Sequence, residues 1–562
     1  MKQVATHLLQ RVPAKAGTQS AWSCLSRLGS CLRRSGLLVL LGFVAIGTAT
    51  QPTRARTEIA PYLELDQTFI ANLKGGSDDV LTYTSVAVGV DASVATARTE
   101  AQVSLRYEHQ FGWGDRAPDS DILSGIANAR YAITPDSLSI EGGALATRVR
   151  TDGFSSANGS LITAGDATTH VYSLYAGPTL STYAGDLSIN AAYRIGYSKV
   201  EDDVNLNLGG APVLGVFDES VYHTVLVSAG MDPGRLPFGW QVSAGYDRED
   251  VTELDQRYQD KWVRGDVTVP VSPTLALVGG VGYEDIEISQ RAVLLDGGGN
   301  PVIVKNGGLV SDKSVPRLLA YETDGFIWDA GVLWRPSRRT TLEARVGRRY
   351  DSMHYIGSFS WQASRQSLVQ IAYFDTIDSF GRAMHGNLLA LPTGFNAVRN
   401  PFTGDLTGCV TGTDGSTCFN DALAAINAAN YRHRGVAAQY TRDGRRLDWG
   451  VALGWSQRKF LLPDGSIFAS VNGARDDYYY AQLFGGYRID PRSHLGASIY
   501  ANYLDAGTGG IDVTNYGTYV TYDRLFGRRL SAHASLGLDA IDTDTLDQII
   551  SLLGQVGVRY QF

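Results

Sequence analysis

The sequence predicts an all-β chain: a single large antiparallel transmembrane β-barrel of about 22 strands, within a range of about 18 to 24, following a cleaved signal peptide. Three observations predict it. The last stretch of the chain is a two-faced strand ending on an aromatic residue. The same alternation of faces recurs across the chain, and the breaks between strands alternate between short and long.

The final stretch, Asp547–Phe562 (DQIISLLGQVGVRYQF), shows the pattern best. Phe562, Tyr560, Val558, Val556, Gly554 and Leu552 fall on one side, and Gln561, Arg559, Gly557, Gln555 and Ser551 on the other, with Leu553 the misfit. A period of two with an apolar and a polar face is a strand half-buried in something apolar. In water so long an apolar edge would invite pairing with other chains. In a closed membrane barrel it has a partner on both sides and its apolar face meets lipid. The ending Tyr560-x-Phe562 resembles the assembly signal of bacterial outer-membrane barrels, which implies the barrel assembly machinery as a partner.

Composition agrees. Of 562 residues, 44% are apolar, with 63 Gly and 29 Tyr. The mean hydropathy of −0.10 is too polar for a bundle of membrane helices but suits strands of which every second residue faces lipid. A net charge of −8 excludes a nucleic-acid binder driven by bulk charge. Residues 1–55 read as a signal peptide with a long leader: Arg27, Arg33 and Arg34 precede the apolar run Gly36–Gly47, which is too short to span a bilayer. Cys24 and Cys31 leave with it. Cys409 and Cys418, close together in a polar stretch of an exported chain, predict one disulfide, stabilising its small loop by roughly 2–3 kcal/mol.

The remaining residues, 56–562, form the barrel. Ala101, Val103, Leu105 and Tyr107 oppose Gln102, Ser104, Arg106 and Glu108; the segments 187–198, 447–456 and 530–539 alternate in the same way. Short breaks such as Gly185–Asp186, Ser272–Pro273, Pro336–Arg338 and Pro491–Arg492 carry the Pro, Gly and Asp of tight turns. Longer excursions lie between them, the longest being Gly381–Tyr431, set on the external side. Its Asp421–Asn430 portion is alanine-rich and predicts a short helix. The loop either folds into the pore or caps it from outside, and a loop of about fifty residues is unusual unless functional. Aromatic residues near strand ends (Phe111, Trp113, Trp328, Trp334, Tyr478–Tyr480) predict girdles at the membrane interfaces.

Assigning polar alternates inward puts both signs of charge in the lumen. Arg335, Arg345 and Arg349, with Glu343 and Asp329 close by, are the candidate selectivity residues. A cationic group there would concentrate anionic solutes such as acidic sugars; the plainer reading is that the charges pair across strands and wet the interior. No G-x-S-x-G, H-E-x-x-H, phosphate loop or Cys/His metal spacing occurs, so no enzyme, metal or cofactor is expected. No plug-sized stretch precedes the first strand, which speaks against a gated siderophore transporter.

One region carries a closer likeness. Trp334-Arg335-Pro336-Ser337, Thr340, Leu342, Gly347-Arg348-Arg349-Tyr350, Tyr355 and Phe359 through Arg365 form a strand–turn–strand–strand run. It resembles the outer-membrane β-barrel porins found beside exopolysaccharide biosynthesis and PEP-CTERM protein-sorting genes in proteobacteria. Those often carry Pro-Ser-x-Arg-Thr and then Gly-x-Arg-aromatic; here Asp351-Ser352 stand where Phe-Gly is expected. The resemblance implies a barrel of the bacterial outer membrane, in contact with its lipid, passing hydrophilic solutes or polysaccharide and linked to exopolysaccharide or its export apparatus. The alternative expectation is a non-conducting surface barrel whose external loops bind polysaccharide or neighbouring cells.

Overall fold

The computed structural model describes residues 56–562 apart from 76–79, 114–118, 151–167, 202–216, 304–307, 393, 396, 398, 407–408, 413–414, 424–425, 508–511 and 545–546. The signal-peptide region, residues 1–55, lies outside the described residues.

Twenty-two strands form one antiparallel sheet. In chain order they begin with β1 (Arg56–Lys74), β2 (Val80–Ala95), β3 (Thr99–Trp113), β4 (Ser120–Thr134), β5 (Leu138–Arg150), β6 (Thr168–Ala184) and β7 (Leu187–Glu201). There follow β8 (Glu219–Met231), β9 (Gly239–Val251), β10 (Gln256–Ser272), β11 (Leu275–Gln290), β12 (Leu318–Ser337), β13 (Thr340–Arg349), β14 (Ser352–Ser364) and β15 (Ser367–Asp378). The last seven are β16 (Asn430–Arg442), β17 (Leu447–Leu461), β18 (Arg475–Asp490), β19 (Ser493–Ala506), β20 (Val513–Leu525), β21 (Leu530–Thr543) and β22 (Ile549–Gln561). Each pairs with its chain neighbours, and β1 pairs with β22 from Tyr62↔Gln561 to Lys74↔Ile550, which closes the barrel. Closure leaves no edge, so every strand satisfies its backbone groups on both sides, as the bilayer core requires.

The alternation read from the last strand decides what faces lipid. Leu552, Val556, Val558 and Tyr560 of β22 are exposed outward, while Ser551, Leu553 and Gln555 are buried inward. On β1, Leu63, Leu65 and Phe69 point out, and Glu64, Asp66 and Thr68 point in. The outer wall is apolar and the inner wall polar, the arrangement of an outer-membrane barrel, and the bacterial outer membrane is where this chain resides. Among the described residues no helix is long and apolar enough to cross a membrane.

Turns of two to seven residues join strands at the rim that carries Arg56 and Phe562, the periplasmic rim of such a barrel. The other rim bears the long excursions, with the two-residue turn Tyr350–Asp351 as an exception; both residues take positive φ, 54° and 53°. The strand–turn–strand–strand reading of 334–365 matches β12, β13 and β14. Trp113, Trp328, Trp334 and Tyr479 lie exposed on the outer wall, as girdle residues do. Tyr478 and Tyr480 do not: alternation turns both inward, where Tyr478, 1% exposed, donates its hydroxyl to Asn502 at 3.1 Å and Tyr480 lines a cavity inside the barrel.

Candidate functional site

A barrel's bore widens with strand number, and the side chains of 22 strands cannot fill it. Part of it is filled by the longest loop. The stretch set at Gly381–Tyr431 from sequence begins after Asp378 and ends before Asn430, and it lies inside the barrel rather than above it. Its helix is not where alanine content placed it. The main helix, α1 (Phe380–Leu389), opens the loop, and α2 covers only Asn420–Leu423. Ser379 caps α1 by accepting from the Arg382 amide at 3.1 Å. Phe380, Met384 and Leu388 recur at every fourth position and are fully buried. They pack on an apolar patch of the inner wall that includes Val171 and Tyr175 of β6 and Val200 of β7.

Polar contacts fix the same loop at several heights. Arg382 donates to Glu249 of β9 at 2.9 Å and lies 3.6 Å above the Tyr258 ring. Arg148 of β5 pairs with Asp405 at 2.9 Å. Ser124 of β4 donates to the Gly404 carbonyl at 3.0 Å, and Tyr83 of β2 donates to the Phe402 carbonyl at 2.5 Å. Phe402 crosses to the far wall, where it packs with Ile70, Tyr500, Tyr519 and Leu553. The misfit Leu553 of the last strand is thus an inner-wall contact of the loop. At α2, Ser456 of β17 donates to Asp421 at 2.6 Å and His433 of β16 lies 2.7 Å from it. Burial pushes the Asp421 carboxyl up, but His433 and Arg458 together outweigh this and hold it well below the usual range.

Cys418 is disulfide-bonded, and the backbone register Cys409↔Cys418 places Cys409 opposite it in the small hairpin Cys409–Gly412/Gly415–Cys418. Thr417 of that hairpin donates to the Ala390 carbonyl at 2.6 Å, so the crosslinked segment also rests against the end of α1.

The loop leaves two spaces. A vestibule of about 1470 Å³ opens at the periplasmic rim and is floored by loop residues including Phe395, Arg399 and Pro401. A second cavity of about 490 Å³ lies between the loop and the inner wall of β14–β18, lined by Arg382, Asp421, Ser456 and Tyr480 among others. Ser360 and Gln370 line both, so the two adjoin at that pair.

The candidate selectivity residues divide into three places. Arg345, Glu343 and Asp329 come together: Arg345 donates to Glu343 at 2.7 Å, to Asp266 at 3.0 Å and to Asp329 at 3.2 Å, and Arg264 pairs with both aspartates. Two guanidinium groups therefore face three carboxylates. Arg349 sits nearer the external rim, donating to Glu284 at 2.9 Å and stacking 4.7 Å from the Tyr350 ring. Arg335 sits near the periplasmic rim, with a buried Nε that finds no partner.

A second charged group was not anticipated from sequence as a unit. Arg106 donates to Glu64, to Asp66 at 3.2 Å and to Glu108 at 2.8 Å, while Arg559 pairs with Glu64 and His533 lies 3.0 Å from Asp66. Glu64, Asp66 and His533 are close enough together to ligate a cation, but the Arg106 guanidinium already occupies the two carboxylates. Arg106 lies 42 and 40 residues from Glu64 and Asp66, and Arg559 lies 495 from Glu64, so strand register brings them together.

No family model matches the chain, and no curated protein matches its sequence. Among solved structures, it is similar to the FrpB iron transporter from Neisseria meningitidis: 12% identity, covering 90% of this chain and 82% of that one, TM-score 0.44. The ferric-catecholate import receptor Fiu from E. coli K12 matches at 11% identity over 92% of this chain and 82% of that one, TM-score 0.44. The alcaligin outer-membrane receptor FauA from Bordetella pertussis matches at 11% over 91% and 77%, TM-score 0.38. Likenesses this distant carry no argument; the chain is an outer-membrane β-barrel on the strength of its own register and its own two faces.

Proposed function

We propose that the barrel is a porin-like passage for hydrophilic solutes or polysaccharide, narrowed by its own inward-folded loop and linked through its resemblance to exopolysaccharide export. The observation that carries this is that the 1470 Å³ vestibule and the 490 Å³ cavity beside α1 adjoin at Ser360 and Gln370. A loop folded in to seal a barrel has no reason to leave a gap along one wall, whereas a constriction does. The passage involves no bond-making step, and we assign the chain no enzymatic role.

One observation favours the alternative of a non-conducting surface barrel. The apolar seat of Phe380, Met384 and Leu388 is as well buried as a protein core, so the loop is firmly held. Single-channel conductance of the refolded protein in planar bilayers separates the two, measured with and without residues 381–429. Steady conductance of the intact protein that rises on deletion supports the passage. Silence in the intact protein with conductance after deletion means a plugged barrel, and silence in both favours the surface-binding role.

A further inference from the structure

The periplasmic turns differ sharply between the two halves of the barrel. Each of the five turns between β12 and β21 carries arginine: Arg338 and Arg339, Arg365, Arg445 and Arg446, Arg492, then Arg528 and Arg529. The five turns before them carry only Arg98 and Arg235, set against Asp136, Asp186 and Asp232. Arginine thus forms an arc along one side of the periplasmic mouth.

Part of this arc, with Arg442 and Arg488 from the strand ends beside it, turns into the vestibule. Arg338, Arg339, Arg365, Arg442 and Arg488 line it, all five exposed, and none makes an ion pair among the described residues. Deeper lumen arginines behave oppositely: Arg106, Arg148, Arg194, Arg345, Arg349 and Arg382 each face a carboxylate. Nine arginines and five carboxylates line the vestibule in all. Arg399 at its floor adds a half-buried cation whose hydrogen-bond partners are neutral, among them the Gly404 carbonyl at 3.0 Å and the Ser104 hydroxyl at 3.2 Å. Burial, with a smaller push from Arg106, pulls its guanidinium down from its ordinary value, and a bound anion would relieve that cost.

We propose that this vestibule is the docking site of a polyanionic polysaccharide, which the arginine arc captures at the periplasmic mouth and leads to the gap beside α1. The inference rests on the passage proposed above and gives it a substrate class. Three features select a polymer of acidic sugar over a small anion or an acidic protein segment. The volume exceeds the roughly 300–1,000 Å³ usual for a small-molecule pocket. Arginine-bearing hairpins recur every second strand, so an extended chain with spaced carboxylates meets a new guanidinium fork about every 10 Å along the rim. Between the arginines lie amides and aromatic faces (Gln362, Gln366, Gln370, Trp449, Phe484), which suit hydroxyl-rich rings with apolar faces. The arc and the gap also share a wall: the hairpins bearing Arg365, Arg442 and Arg488 are those of β14–β18, which line the 490 Å³ cavity.

The test is current block in planar bilayers by polygalacturonate oligomers and by neutral dextran of equal length, added to each side in turn. From the periplasmic side, polygalacturonate is expected to block about tenfold better than dextran, and less so as salt rises. In a variant with Arg338, Arg339, Arg365, Arg442 and Arg488 all replaced by Gln, that ratio falls towards one; the five Lys replacements recover part of it. Equal block by the two sugars, or a ratio unmoved by the Gln variant, overturns the docking site. Equal action of monomeric galacturonate overturns the polymer, and equal action of polyglutamate reassigns the arc to an acidic protein segment. Binding of labelled polygalacturonate to the detergent-solubilised protein, read by fluorescence anisotropy, keeps the two readings apart. Arginine-dependent binding without conductance refutes the passage and leaves the docking site standing. Conductance without such binding refutes only the docking site.

Discussion

Acidification should loosen α1 from the wall, through His385. This side chain is 3% exposed, its two ring nitrogens have no hydrogen-bond partner, and the edges of Tyr175 and Tyr222 stand 5.3 and 4.8 Å from it. Gly196 of β7 makes room for it; a Cβ there would lie 2.5 Å from Nδ1. The charged groups on the surrounding strands are Arg194, paired with Glu141, and Asp247, which accepts from Tyr222. Burial, with a smaller contribution from Arg194, pushes the His385 pKa from 6.5 down to about 3. The docked ring therefore refuses a proton that the released ring takes below about 6.5, so docking is at full strength above that pH and weakens as pH falls towards about 3. Between pH 6.5 and 5 the loss is about 1.6 kcal/mol, or roughly sixteenfold in the opening equilibrium.

That loss does not eject the helix. Burial of Phe380, Met384 and Leu388 contributes roughly 1.5–3 kcal/mol each, so the docked state still dominates at pH 5 and only its opening becomes more frequent. Hydrogen exchange of α1 amides, corrected for the intrinsic pH dependence and referred to the barrel strands, reads this directly. Protection of 380–389 should drop about sixteenfold from pH 6.5 to 5 while the strands hold theirs, and His385→Leu should flatten the response. A pH response that survives in His385→Leu, or its absence in the native protein, would refute the assignment.

Four other outcomes follow from the geometry. Arg382→Met strands the carboxylate of Glu249, which is 0% exposed, and should weaken loop docking by about 3–5 kcal/mol; the double variant with Glu249→Gln should recover most of it, as read by limited proteolysis of the loop. Phe402→Ala empties the contact with Ile70, Tyr500, Tyr519 and Leu553 and should cost about 3–5 kcal/mol of docking, seen as faster cleavage near 402 with the barrel's own melting unmoved. Arg345→Gln leaves Asp266, Asp329 and Glu343 facing Arg264 alone, so the reversal potential in a salt gradient should shift towards cation preference. Removing Phe562, whose amide donates to the Pro61 carbonyl at 3.0 Å, should lower the yield of barrel in the outer membrane, measured by heat-modifiable mobility of membrane fractions.

The barrel was legible because a strand's period of two and a turn's chemistry are local. Leu552, Val556 and Val558 opposite Ser551 and Gln555 state the two faces without reference to any other strand. The loop's seat was not legible, although traces of it stand in the sequence. Leu553 breaks the alternation of β22 because it meets Phe402, a contact made across the bore. Phe380, Met384 and Leu388 form a helical stripe behind a Ser379 cap, yet Gly381 and Gly386 hide it among turn-like residues. Alanine content drew attention to 421–430, where only Asn420–Leu423 are helical before β16 begins. Charge pairing was the least accessible. Arg349 and Glu284 meet although 65 residues apart, because strand stagger rather than sequence distance sets which inner residues touch.

The inner wall itself decides where the bore is filled and where it stays wet. On β5–β9 it presents Leu145, Val149, Val171, Val200 and Val251, an apolar patch that would be costly to leave against water. The apolar stripe of α1 covers it. On β14 and β15 the same wall presents Ser358, Ser360 and Gln370, which lose little by staying solvated and would lose hydrogen bonds to water if a helix were laid on them. Moving α1 across the lumen would forfeit the first contact and incur the second penalty, so the loop has one resting place and the gap one position. The unpaired arginines stand beneath the wetted wall, where an anion arriving from the periplasm gains most from them. Filled wall, open wall and charged mouth are therefore one asymmetry, set by which residues each half of the barrel turns inward.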